Sequence, residues 1–177
     1  MNPASPNIYL LGFMGCGKTK IGTLLARSLS RPFIDTDAVI VEETGSSINA
    51  IFETKGEKGF REIEKDVIAR LSRTNASVIS LGGGSVLLPE NWDAVSGSGI
   101  TITLSYPPEI LAARLERRKD RPLLKDVTGR ERLEFIRGMM SVREPYYRRA
   151  DLVLHLNHEI APQAVTDMLL HYLKERT

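Results

Sequence analysis

Cysteine is nearly absent from this sequence: Cys16 stands alone among 177 residues. No intrachain disulfide can form, and a reducing compartment is expected. Long apolar runs are missing too. None approaches the roughly 18 residues of a membrane span, which argues against a membrane partner. The stretch Met1-Asn2-Pro3-Ala4-Ser5-Pro6-Asn7 has none of the basic residues that open a signal peptide. Cytoplasmic localisation is the expectation. Net charge is also small, 24 Lys+Arg against 22 Asp+Glu for +2, so bulk adhesion to nucleic acid is not expected. His155, His158 and His171 show no ligand spacing with the one cysteine, which argues against zinc and for surface or edge positions. Internal repeats, low-complexity tracts and long linkers do not occur.

What is present is an ordinary globular composition, 42% hydrophobic and 26% charged. At about 100–200 residues per domain, the chain is expected to form a single domain over 1–177 and to act as a monomer. Its charge is unevenly placed. From Arg114 to Arg149 there are ten Arg and two Lys against six acids, a local +6 that leaves −4 for the rest. Arg outnumbers Lys sixteen to eight, and Arg grips carboxylates and phosphates with two parallel bonds. An anionic ligand fits this distribution.

Short apolar runs alternate with amphipathic ones. Ile8–Leu11, Phe33-Ile34, Val78–Leu81, Ile100–Leu104 and Leu152–Leu156 are brief, and several are bounded by Gly or Pro, as strands buried in a parallel sheet are. Between them, Glu57–Leu71 sets Phe60, Ile63, Val67, Ile68 and Leu71 on one helical face. Ser47 is placed to cap a shorter helix carrying Ile48, Ile51 and Phe52, with Gly56 ending it. Strand–helix alternation implies right-handed crossovers and a sheet covered on both faces. The fold class is α/β.

Gly12-Phe13-Met14-Gly15-Cys16-Gly17-Lys18-Thr19 matches G-x-x-x-x-G-K-[ST] in full, between a predicted strand and an amphipathic helix carrying Ile21, Leu24, Leu25 and Leu29. Backbone N–H groups of Gly15, Cys16 and Gly17 would curl around phosphates at the helix N-terminus, with Lys18, Thr19 and Lys20 continuing the site. Lys18 reaches the β- and γ-phosphates, and the Thr19 hydroxyl ligates Mg²⁺. The motif does not require a thiol, so Cys16 reads as a small filler. ATP and Mg²⁺ are the expected cofactors.

A metal-side carboxylate must come from another strand. Val78–Leu81 runs into Gly82-Gly83-Gly84 and offers none, whereas Asp35 directly follows Phe33-Ile34 and Asp37 lies two residues on. In extended chain both carboxylates would line one side of a cleft. Capping of a helix that begins near Ala38 accounts for either Asp equally well. The triple glycine has two readings as well, close approach of a ligand or a tight turn.

Taken in order, Gly-x-Met-Gly-x-Gly-Lys-Thr, Phe-Ile-Asp-Thr-Asp, Ile-Phe-x-x-x-Gly-Glu-x-x-Phe-Arg-x-x-Glu, Gly-Gly-Gly, Arg-Pro-Leu-Leu and Arg-x-x-x-Tyr resemble shikimate kinases. These are phosphate-loop kinases related to the nucleoside monophosphate kinases. The likeness spans Ile8 to about Ala164. It implies a three-layer fold with a central parallel five-stranded sheet, substrate-binding helices over about 36–72 and a lid over about 117–129. It further implies γ-phosphate transfer from ATP to the 3-hydroxyl of shikimate, in the pathway to chorismate and aromatic amino acids.

By that resemblance Asp35 stands near Mg²⁺ and Asp37 binds shikimate hydroxyls and assists deprotonation. Arg61 and Arg143 hold the substrate carboxylate, and Gly83 and Gly84 bring backbone to the ring. Arg121 is the lid arginine over the transferring phosphate, and Arg117 is the match for the arginine that stacks on adenine. Glu64, three residues after Arg61, is placed to brace it. Arg130, Arg132 and Arg137 read as solvated charges. A gluconate-type kinase and a noncatalytic nucleotide sensor are the competing readings. The lack of an Asn-Lys-x-Asp motif disfavours a GTPase switch.

Overall fold

The computed structural model describes residues 5–116 and 129–176. Five parallel strands form one sheet: β1 (Asn7–Leu11), β2 (Phe33–Asp35), β3 (Val78–Ser80), β4 (Gly99–Ser105) and β5 (Leu152–His155). Their spatial order is β2-β3-β1-β4-β5. Ile8 pairs with Val78 on one side and with Ile100 on the other, which places β1 at the centre. All five residues of β1 are buried: Ile8–Leu11 because helices cover both faces of the sheet, and Asn7 with its amide bonded to the carbonyls of Leu71 and Thr74.

Among the described residues seven α-helices connect or follow the strands: α1 (Lys18–Ser28), α2 (Thr36–Thr44), α3 (Ile48–Leu71), α4 (Pro89–Ser96), α5 (Pro108–Glu116), α6 (Gly129–Tyr147) and α7 (Pro162–Lys174). Each strand predicted from sequence is found within one or two residues of its expected ends. No helix among the described residues is long and apolar enough to cross a membrane.

Helix α3 carries the break that the sequence foretells. Ser47 accepts a hydrogen bond from the Ala50 N–H as its cap, and Gly56 at φ 68° interrupts the helical path. That left-handed value suits glycine, and it lets the two halves of α3 run in different directions. The apolar face beyond the break is shared between two cores. Ile68 packs into the main core under the sheet, while Phe60 and Val67 join Ile40 and Ile51 in a smaller cluster. This satellite core fixes α2 and α3 as a wall beside the sheet's carboxyl edge.

Functional groups gather along that edge. The phosphate loop follows β1, Asp35 ends β2, Gly82–Gly84 follow β3, Tyr106 follows β4 and Asn157–Glu159 follow β5. The chain leaves β1 toward β2 and leaves the adjacent β3 toward β4, in opposite directions along the sheet, and the crevice between two such strands is where parallel α/β sheets bind ligands. His155 and His158 are exposed on this last strand and its loop, and His171 is exposed on α7, pairing with Glu175.

Candidate active site

The phosphate loop is shaped by its glycines. Gly12 adopts φ 137°, and a Cβ there would collide with the Leu104 carbonyl and the Cys16 sulfur, so only glycine fits. Cys16 is buried, in keeping with a filler role. The Lys18 ammonium folds back over the loop and donates to the carbonyls of Gly12 at 2.7 Å and Phe13 at 3.2 Å. A cation thus sits in the curve of the loop, at the N-terminal end of α1, where an anion's charge would be met by both.

Across the cleft, Asp35 caps a helix with one oxygen and meets the phosphate loop with the other. Its Oδ1 accepts from the Asp37 N–H and caps α2, while its Oδ2 accepts from the Thr19 hydroxyl at 2.9 Å. The helix begins at Thr36, two residues before the sequence suggested. A cavity of about 550 Å³ runs along these groups and is lined by Lys18, Thr19, Lys20, Asp35, Asp37 and Gly83 among others.

A second cavity, of about 110 Å³, adjoins the first and shares Met14, Asp37, Gly82 and Gly83 with it. It is closed by Phe52, Phe60, Arg61, Glu64, Gly84 and Arg143. Glu64 is fully buried. It accepts from Arg61 at 2.7 Å and from the Ser85 hydroxyl at 2.5 Å, so no charge in the pair is left without a partner. Burial works against the Arg61 charge, yet Glu64 and then Glu57 outweigh it and hold the guanidinium's pKa above its ordinary value.

Arg143 enters from the opposite wall. It is buried on α6, with its guanidinium 5.2 Å from the Phe13 ring centre. Two guanidinium groups therefore face one small pocket whose remaining surface is largely aromatic and glycine. The glycines owe their place to contact: none of Gly82, Gly83 and Gly84 has a left-handed φ. A Cβ on Gly84 would overlap the Arg61 guanidinium, and one on Gly83 would press on Arg143.

Arg114 carries a part that sequence reading missed. Arg117 and Arg121, and with them nearly all of the expected lid, lie outside the described residues. Arg114 is described, and it stacks 4.1 Å over the Tyr106 ring, donates to the Gly15 carbonyl at 3.1 Å and forks onto Glu159. The bond to Glu159 is the main reason its pKa is raised. The distance of 99 and 45 residues to its partners leaves no spacing signal in the sequence. Arg137, read as a solvated charge, is indeed exposed and paired with Glu109 and Glu134.

The site residues suit a hard divalent cation. Thr19 and Asp35 present two adjacent oxygens, and Mg²⁺ commonly takes one or two such groups along with water and phosphate oxygens. Among the described residues there is no cluster of three His, Cys, Asp or Glu that would form an all-protein cage.

A family model described as shikimate kinase matches residues 14–174. The shikimate kinase of a Nostoc species is 42% identical over 164 residues, covering 93% of this chain and 88% of that protein. That of Caldicellulosiruptor bescii is 41% identical over 172 residues, covering 96% and 97%. Among solved structures, shikimate kinase from Acinetobacter baumannii in complex with shikimate superposes with a TM-score of 0.91 at 34% identity, covering 98% and 95%.

Proposed function

This chain belongs to the shikimate kinase family and is an ATP-dependent kinase, and on that premise we propose how its own residues divide the work. The reaction is transfer of the ATP γ-phosphoryl group to the 3-hydroxyl of shikimate, giving shikimate 3-phosphate and ADP. One observation carries the assignment of the two cavities. Asp37 lines both the cavity that holds the phosphate loop and the cavity that holds the paired arginines. A carboxylate at that boundary lies between donor and acceptor.

ATP occupies the larger cavity, its phosphates wrapped by the backbone of Gly15, Cys16 and Gly17 and met by Lys18. Arg114, already bonded to the loop at Gly15 and packed on Tyr106, borders the nucleotide end. Mg²⁺ would be held by Thr19 directly and by Asp35 through water, and when bound it draws charge from the phosphate oxygens. Shikimate occupies the smaller cavity. Arg61 and Arg143 clamp its carboxylate from two sides, which fixes both position and orientation of the ring. Asp37 then accepts hydrogen bonds from ring hydroxyls and takes the proton of the attacking one.

Arg121 would bring positive charge over the phosphoryl group as negative charge develops there. Its assignment is supported by its place in Arg121-Pro122-Leu123-Leu124. The enzyme acts as a monomer in the cytoplasm, with no nucleic acid or membrane partner, in keeping with the weak net charge.

The test is ADP release with shikimate, quinate and gluconate offered separately. Shikimate should turn over fastest. Equal or faster turnover of gluconate would reject the acceptor assignment and favour a kinase for another hydroxy acid.

A further inference from the structure

Tyr147 is buried, yet its polar end is aimed at the site. Its hydroxyl donates to the Gly83 carbonyl at 2.5 Å, across 64 residues of sequence. Burial is the main reason the phenol is held well above its ordinary pKa, so it stays a donor. The charges of Arg143 and Arg61 act on it in the opposite sense. The backbone of Tyr147 is itself fixed, because the Thr103 hydroxyl on β4 donates to its carbonyl at 2.9 Å.

We infer that Tyr147 is a positioning residue for the acceptor site, aligning the Gly83–Gly84 peptide and setting the reach of Arg143. The reasoning begins with the peptide plane. A trans peptide points its C=O and the following N–H in opposite directions. With Gly83 O turned to Tyr147, the Gly84 N–H is turned away from it. Among the described residues no backbone carbonyl receives that N–H, and Gly84 lines the smaller cavity. The phenol thus commits the N–H to a ligand in the pocket.

The same contact ties two walls together. Arg143 and Tyr147 are four residues apart on α6 and lie on one face. One reaches the pocket and the other grips the glycine segment that forms its floor. On the far side Glu64 holds Ser85, and Thr36 accepts from the Gly82 N–H. The segment is therefore pinned at Gly82, Gly83 and Ser85, and among the described residues Tyr147 is the one of these anchors that comes from the wall carrying Arg143.

This inference rests on the proposed acceptor site, and its test separates the two. Tyr147→Phe removes one oxygen and leaves the ring in place. The KM for shikimate should rise about three- to tenfold, the loss of one hydrogen bond, with the KM for ATP and the melting temperature nearly unchanged. Amide hydrogen exchange at Ser85 and Leu87, whose N–H groups bond to the Gly82 and Gly84 carbonyls, should quicken in the same variant, while exchange in β1 does not. An unchanged shikimate KM would overturn the inference, and so would equal rises in both KM values with a lowered melting temperature. If the wild-type protein phosphorylated no shikimate, the substrate reading alone would fall. Exchange would then decide for Tyr147, with quickening at Ser85 and Leu87 supporting its role and unchanged exchange rejecting it.

Discussion

Thr19 and Asp35, one from the phosphate loop and one from the end of β2, meet through a 2.9 Å hydrogen bond on the open side of the cleft. The same carboxylate caps α2 through the Asp37 N–H. A single side chain therefore fixes the start of a helix and ties it to the phosphate loop.

That double duty can be split by Asp35→Asn. Asparagine caps helices as well as aspartate does, so stability should hold within about 0.5 kcal/mol. The charge facing the cation is lost, and the Mg²⁺ needed for half-maximal activity should rise about tenfold or more. Titrating Mg²⁺ at saturating ATP and shikimate measures it. An unshifted Mg²⁺ requirement would remove Asp35 from the metal site.

Arg143→Ala should raise the KM for shikimate about 100-fold, the usual scale for deleting one partner of a buried charge pair. The KM for ATP should change less than about threefold. Steady-state kinetics with each substrate varied separates the two. A change confined to ATP would contradict the carboxylate role.

Arg121→Ala should act on turnover. A contact that strengthens as phosphoryl charge develops lowers kcat when removed, here by about 10²–10³-fold, with both KM values little altered. Single-turnover measurements of the chemical step would show the loss directly. An unaltered step would contradict the assignment.

Asp151 gives a prediction about acid stability. Its carboxylate accepts from the Thr101 N–H and hydroxyl and from Arg176, joining the start of β5 to β4. Burial pushes its pKa up, but the Thr101 bonds and then Arg176 outweigh that and hold it below the ordinary 3.8. A group depressed in the folded state stabilises above its unfolded pKa and loses that contribution as pH falls through the folded one. Asp151→Ala should cost about 1–3 kcal/mol at pH 7 by leaving the Thr101 N–H unpaired. The stability gap between wild type and Asp151→Asn, followed by urea unfolding, should be flat from pH 7 to about 5 and close below about pH 4. A gap that widened in acid would refute the argument.

Local chemistry made much of this molecule legible in advance. The strands announce themselves because β-branched runs bounded by Gly or Pro have few other uses, and Ser47 and Gly56 mark a helix start and break by their own backbone preferences. Lys18 and Thr19 are read from a motif whose spacing is dictated by the phosphate it wraps. Asp35 was readable as a cap or as a metal-side acid; the cap is what the structure shows, and its second oxygen, bonded to the Thr19 hydroxyl, leaves the proposed metal role compatible with it. Arg61 with Glu64 follows from helical spacing. Arg143 needed the resemblance, since nothing local tells it from Arg137, which is exposed and paired. Tyr147 with Gly83 and Arg114 with Gly15 were hidden, because bonds spanning 64 and 99 residues leave no periodicity to detect.

The strand order has a consequence for biosynthesis of the chain. The central strand is made first, but Val78 lies 70 residues after its partner Ile8, and Ile100 lies 92 after it. At about 5–20 residues per second on a ribosome, the most apolar strand waits several seconds for either neighbour. Asn7-Ile8-Tyr9-Leu10-Leu11 is therefore the segment a nascent-chain chaperone would meet unpaired, and slowing translation between residues 12 and 78 should raise the fraction lost to aggregation.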